Sequence, residues 1–287
     1  MLLSLLACFG PADWTDVSLE DACELSDPGY EDPSDAALEA LDRANCYRSL
    51  LGLEPGVLEE RLDAASQAHA EYMDGEGVLA HAEDPEVEGF TGEQVWDRIA
   101  AAGWDDQVGL LISEVVAEGP EPAAAVDLWV DSVYHRSPFT APEWVAAGFG
   151  SAGAYSSMAF VMPYPQQRAV AVAYPVNGQV DVPTSFDSDT ESPDPAPGHG
   201  VVGYPVTVSV SSTDAESGLR LDSGQIRGPG GAIDVIELDP TNDESLYDMV
   251  ALVPTEPLEP GTAYEAELGV SWGGERQTLE IHFETRE

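Results

Sequence analysis

From Ser34 onward, apolar residues return at helical spacing: Ala36, Leu38, Leu41, Cys46 and Leu50. Ser34 or Asp35 stands ready to cap this run and Gly52 to end it. A second helix is predicted over residues 57–73, with Leu58, Leu62, Ala65, Ala68 and Tyr72 on one stripe. After a loop holding His81, a short helix over 92–102 turns Val95, Trp96 and Ile99 inward. Residues 108–117 alternate poorly but are apolar and β-branched, as in a buried strand. Helical spacing comes back over 120–134 through Val126, Trp129, Val130 and Val133.

Beyond that point the period changes from helical to strand-like. Residues 144–151, 157–163 and 168–174 are short runs rich in Val, Phe, Tyr and Gly, separated by turns. Helices wrapped on a three- or four-stranded sheet give an α+β unit over residues 35–174. Residues 175–203 lack periodicity, are rich in Asp, Ser and Pro, and space Pro193, Pro195 and Pro197 by two, which predicts a stiff acidic linker. From residue 204 to 287 the pattern is β throughout: Val206, Val208 and Val210 alternate, and further runs lie between turns such as Gly228-Pro229-Gly230 and Pro260-Gly261. Several short strands at this spacing predict a small β-sandwich.

The 287 residues are 43% hydrophobic, enough to pack cores in both units. Charge changes the picture more. There are 54 acidic residues against 10 basic ones, a formal net charge of −44, and every basic residue is an arginine. Such a surface stays solvated and repels phosphate backbones and anionic headgroups, so nucleic-acid binding and electrostatic membrane docking are excluded. A cation, a neutral ligand or a basic partner fits it.

The N-terminus resembles the end of a bacterial lipoprotein signal, with Leu5-Leu6-Ala7-Cys8 as the lipobox, although the basic n-region of a signal peptide is missing. That resemblance implies a signal remnant over 1–8, an acidic tether over 9–34, and lipidation at Cys8. Three cysteines is an odd number for an exported chain. With Cys8 lipidated, Cys23 and Cys46 are left as a disulfide pair; Cys8–Cys23 or Cys8–Cys46 would each strand a thiol.

Five motifs in order resemble the CAP superfamily of cysteine-rich secretory, antigen 5 and pathogenesis-related 1 proteins, in its bacterial form. They are Ala64-Ala-Ser-Gln-Ala-His69-Ala-Glu-Tyr-Met73, Leu79-Ala-His81, Trp96-Asp-Arg98-Ile99 with Ala102-Gly-Trp104, Ile112-Ser-Glu114-Val-Val-Ala117, and Trp129-Val-Asp131-Ser132-Val-Tyr-His135-Arg136. The resemblance implies an α-β-α sandwich over about 35–174, with a cleft of two histidines and two carboxylates. His81, Glu114 and His135 fall at three of those positions. Ser132 falls at the fourth, where an acid is expected, and Asp131 is one place early, about 100° away around a helix. The C-terminal unit resembles bacterial immunoglobulin-like modules through Leu252-Val-Pro254 and Pro257-Leu-Glu-Pro-Gly-Thr-Ala-Tyr264.

Two imidazoles and a carboxylate are good ligands for a divalent metal such as zinc, so His81, Glu114 and His135 form the candidate metal set. Without metal, the same groups pass protons near neutral pH, with Glu114 the candidate base, though no catalytic residue is assigned. His69 is expected to face solvent or pack on its helix, and His199 and His282 have no ligand-spaced partner. Asp187, Asp189 and Glu191 alternate like a cation loop but lack its glycine and distal glutamate, and read as solvated linker. No nucleophile elbow, phosphate loop or Cys-x-x-Cys pair occurs. The expectation is an exported, lipid-anchored protein of the cell envelope that binds a cation or small apolar ligand. The rivals are a metal-assisted hydrolase in the same cleft and a structural or adhesive protein engaging a cell-surface component, with the membrane reached only through the lipid.

Overall fold

The computed structural model describes residues 15–104, 107–119, 121–164, 170–211 and 218–287. Helix α1 (Asp35–Leu50) starts where Ser34 Oγ accepts the Ala37 N–H at 3.1 Å, and it buries Ala37, Ala40, Leu41 and Ala44. Helix α2 (Glu60–Glu76) begins three residues later than predicted. Leu58 is drawn into a bridge with Ala147, and the Glu59 carboxylate caps Arg61 and Leu62 instead. Gly77, with φ 66°, closes the helix in the left-handed conformation. Helix α3 (Val95–Ala101) turns Val95 and Ile99 inward as expected, but Trp96 is half exposed and Arg98 is the large buried side chain.

Strand β1 (Leu110–Glu118) leads to α4 (Pro122–Asp131) and the single turn α5 (Ser137–Thr140). Strands β2 (Ala146–Ala152) and β3 (Tyr155–Pro163) follow, and β1-β3-β2 form an antiparallel sheet with β1 at its edge. Period-2 alternation divides the sheet's faces. Val115, Ala117, Met158, Phe160, Ala147 and Phe149 share a core with α1 and α4, while Ala146, Ala159 and Val161 pack with Leu62, Ala65 and Ile99 of α2 and α3. The result is three layers, helix–sheet–helix. The α2 backbone presses so close to β2 that a Cβ on Gly148 or Gly150 would lie 2.2 Å from Leu62 C or 2.1 Å from Gln67 N.

The second unit begins earlier than its sequence pattern suggests. Strand β4 (Val170–Tyr174) pairs with β8 (Val206–Ser211), not with the first sheet, because alternation marks a strand without naming its partner. The predicted linker is folded: β5 (Gln179–Val182) runs parallel to the last strand, and β6 (Ser185–Asp187) pairs with β7 (Val201–Gly203). With β9 (Arg220–Gly228), β10 (Gly231–Ile233), β11 (Val235–Leu238), β12 (Met249–Pro254), β13 (Ala263–Trp272) and β14 (Glu275–Thr285), two sheets form, in the orders β10-β9-β13-β14-β5 and β11-β12-β8-β4. Inward Val206, Val208, Leu252, Ala266, Leu268 and Ile281 close the core between them.

The stretch expected to be a tether is also folded from residue 15 on. Val17 donates to Gly178 O at 3.0 Å, Leu19 is buried, and Cys23 is disulfide-bonded to Cys46 of α1. A loop of this size stabilises by about 3 kcal/mol. Cys8 lies outside the described residues. The two units share one continuous core, in which Tyr47 of α1 meets Tyr174 of β4 edge-on at 6.0 Å.

Candidate functional site

The site is built on edge strand β1. Glu114 points to the α2/α3 side, where Arg98 Nη2 donates to its Oε1 at 2.6 Å and Ser157 Oγ to the same oxygen at 3.3 Å. Below it lies a closed network. His69, wholly buried, holds Nδ1 2.9 Å from Glu83 Oε1 and Nε2 2.9 Å from Ala80 O, and Arg98 Nε is 3.8 Å from the same Glu83 oxygen. Glu83 also takes the backbone N–H of Thr91 at 2.6 Å. Two buried carboxylates therefore share one buried guanidinium, which compensates charges that would otherwise be costly to bury. Of the two expectations for His69, facing solvent or packing on its helix, the first is corrected here. The signal was available, since His69 follows Leu62 by two helical turns on the same stripe.

His81, half exposed on the loop after α2, places Nδ1 3.1 Å from Glu114 Oε2. Burial alone would raise the Glu114 carboxyl. The hydrogen bond from His81 and the charge of Arg98 outweigh it and hold the group below the usual carboxylate range. An ionised carboxylate only accepts, so the neutral form of His81 is the Nδ1–H tautomer, with Nε2 left as an acceptor.

His135 arrives from the opposite layer, just past the end of α4. Its Nδ1 lies 2.9 Å from Oε1 of Glu191 and 3.3 Å from Ser132 Oγ, which itself donates to Trp129 O at 2.8 Å. Glu191 is no solvated linker residue: its side chain is 1% exposed. Asp131 turns away from the cleft and accepts from Tyr204 OH at 2.7 Å, as its offset around the helix requires. Burial raises the Asp131 carboxyl against the opposing pull of that hydroxyl.

His81, Glu114 and His135 line one cavity of about 260 Å³. Its other walls are Tyr134, Pro138 and the Ser245–Met249 stretch of the second unit. Sequence reasoning missed Glu191 as a site residue and missed that wall, because both lie far along the chain in segments without a motif. As a three-ligand metal set the predicted trio fits poorly. Both Glu114 oxygens are committed, to Arg98 and His81, and among the described residues no group of three or more His, Cys, Asp or Glu is placed to hold a metal ion. His199 is exposed, and His282 lines a different cavity beside Tyr264 and Phe283.

Residues 41–164 match the family model of the cysteine-rich secretory protein family, CAP. No curated protein matches the chain significantly. Among solved structures the chain is similar to an extracellular SCP-domain protein from Bacillus anthracis, at 19% identity and TM-score 0.40 over 44% of this chain and 40% of that one. It is also similar to an outer surface protein from Borrelia burgdorferi, at 16% identity and TM-score 0.35 over 43% of this chain and 89% of that one. The chain thus spans well under half of the Bacillus protein. Glu191 and Ser245–Met249 lie outside the matched range, whereas His81, Glu114 and His135 lie within it. No described helix is long and apolar enough to cross a membrane. Residues 41–164 are a CAP domain of the cysteine-rich secretory protein family, joined to a β-rich second half.

Proposed function

We propose that this is an exported binding protein whose cleft takes a small organic cation with an apolar body. One observation carries the reading: His81 and His135 line the same cavity, and each has its Nδ1 against a buried carboxylate. Carboxylates bonded to Nδ1 in this way fix ring orientation and tautomer, and leave two Nε2 lone pairs to accept from a ligand's N–H groups. Val115, Pro138, Leu246 and Met249 supply apolar wall, and Asp248 at the rim adds negative charge. The only described arginine at the site, Arg98, is already spent on Glu114 and Glu83. Export is supported by the Cys23–Cys46 disulfide, which persists in oxidising compartments. That pairing leaves Cys8 as the odd cysteine and the residue we assign to lipidation. Loss of metabolic palmitate labelling in Cys8→Ser tests the anchor.

Calorimetric titration of the whole chain with benzylamine, benzyl alcohol and benzoate tests the binding reading. Binding of the amine, at least tenfold tighter than the alcohol and with no binding of benzoate, is expected. Equal affinity for all three, or binding of none, overturns it.

A second reading is favoured by the His81–Glu114 pair alone. An ionised carboxylate on Nδ1 makes Nε2 a general base for a water in the cleft. That reading requires turnover of a small ester that Glu114→Gln abolishes; turnover unchanged in the variant removes it.

A further inference from the structure

Glu191 lies outside the CAP match, yet its buried carboxylate is bonded to CAP-domain residues. Four donors converge on its carboxylate. Oε2 accepts from Val133 N at 2.8 Å, and Oε1 accepts from Tyr134 N at 2.7 Å, His135 N at 3.1 Å and the His135 ring at 2.9 Å. The chain has left α4 here, so these three backbone N–H groups lie beyond its hydrogen-bond ladder, and one buried carboxylate satisfies all of them.

The turn that carries Glu191 is itself held firmly. Ser188 N and Oγ both donate to Gly200 O at 3.0 Å, and Glu191 N donates to Ser188 O at 3.2 Å. Phe186 and Val202, from the paired strands on either side, share a core with Val133, Leu246 and Met249. One small core thus joins the Glu191 turn, the His135 segment and the far wall of the cavity.

The protonation logic follows from the donor count. Glu191 receives three N–H bonds, and an ionised carboxylate has nothing to donate, so the contact with the ring requires a proton on His135 Nδ1. The Ser132 hydroxyl, whose own proton goes to Trp129 O, is left as an acceptor 3.3 Å from the same ring nitrogen, a longer and weaker contact than the carboxylate's 2.9 Å that favours the same tautomer. With Nδ1–H fixed, neutral His135 faces the ligand with a bare Nε2. We infer that Glu191 is a positioning residue of the cleft, which sets the tautomer and ring direction of His135 and makes the binding site a joint product of both halves of the chain.

This inference rests on the cleft being a ligand site, and its test separates the two claims. Long-range proton–nitrogen spectra of the histidine-labelled full chain report the tautomer of each ring. Neutral His135 in the wild type is expected as the Nδ1–H form. Glu191→Ala leaves the ring only the long Ser132 contact, and is expected to shift it toward the Nε2–H form while His81 keeps its signal, and to weaken benzylamine binding at least tenfold. Glu191→Gln, which keeps an acceptor oxygen on the ring, is expected to retain the Nδ1–H form. A purely structural role would lower stability without moving the tautomer. An Nε2–H ring in the wild type, or an unchanged His135 signal in Glu191→Ala, overturns the inference, and the wild-type spectrum decides even if that variant does not fold. Failure of the wild type to bind benzylamine overturns the ligand reading alone and leaves the tautomer result standing.

Discussion

Arg136, at the end of the CAP helical layer, donates from Nη1 to Thr207 Oγ1 of the second unit at 3.1 Å. The same guanidinium reaches Pro205 O at 2.9 Å and Val130 O at 2.6 Å and lies 4.8 Å and 5.2 Å from the rings of Tyr174 and Tyr204. Around it, Thr140 Oγ1 meets Ser209 Oγ at 2.7 Å and Tyr134 OH donates to Asp243 at 2.6 Å. An interface so buried and so richly hydrogen-bonded couples the two halves. The chain is expected to unfold in urea as one cooperative transition. Arg136→Leu leaves buried carbonyls without donors and is expected to cost about 3 kcal/mol. Two separate transitions in the wild type would contradict the coupling.

Arg98 stands between Glu83 and Glu114, so its removal strands two buried carboxylates. Arg98→Met is expected to destabilise by about 3–5 kcal/mol at neutral pH. The pH dependence has a definite sign. Because the folded Glu114 carboxyl is held below its ordinary value, its stabilisation is present above the ordinary carboxylate range and is lost as pH falls through the depressed one. The wild-type advantage over Arg98→Met should therefore shrink on acidification, as chemical denaturation at pH 7 and pH 3.5 would show. An advantage independent of pH would mean that Arg98 acts by packing alone.

Asp63 has the opposite sign. Burial pushes its carboxyl up to about 6, even though Tyr30 OH and Phe149 N donate to it. Its folded form holds a proton that the unfolded form releases, so this residue favours folding at acid pH and loses up to about 3 kcal/mol as pH rises through 6. Asp63→Asn, which cannot ionise, should flatten the stability profile between pH 4 and about 6. A profile as steep as that of the wild type would place the effect elsewhere.

Gly150 is required by a close approach, not by a turn. A methyl group there meets the Gln67 backbone, which cannot move without displacing α2 from the sheet. Gly150→Ala is expected to cost about 3 kcal/mol in thermal or urea unfolding, and a loss below 1 kcal/mol would show that the helix has room to shift.

The CAP half was legible in the sequence because its elements carry their own signals. Ser34 caps where a cap was read, and His81, Glu114 and His135 arrive in one cavity as the motif order implied. The second half was less legible for a physical reason. Val170–Tyr174 has the same alternation whichever sheet it joins, and only the free edge of β8 decides. Glu191 sits in an acidic, Pro-rich segment whose composition is that of a solvated connector. Its burial depends on three backbone N–H groups that lie 56 to 58 residues earlier in the chain, which no local pattern records. Sequence reading thus found the two imidazoles but only one of the carboxylates that aim them.

Benzylamine titration of the whole chain beside His81→Ala and His135→Ala most directly tests whether both imidazoles form one site. Each substitution should weaken the amine at least tenfold, a loss of about 1.4 kcal/mol, while leaving the urea midpoint within the range of a surface change. Amine binding that survives both substitutions would place the ligand elsewhere on this acidic surface and contradict the shared cleft.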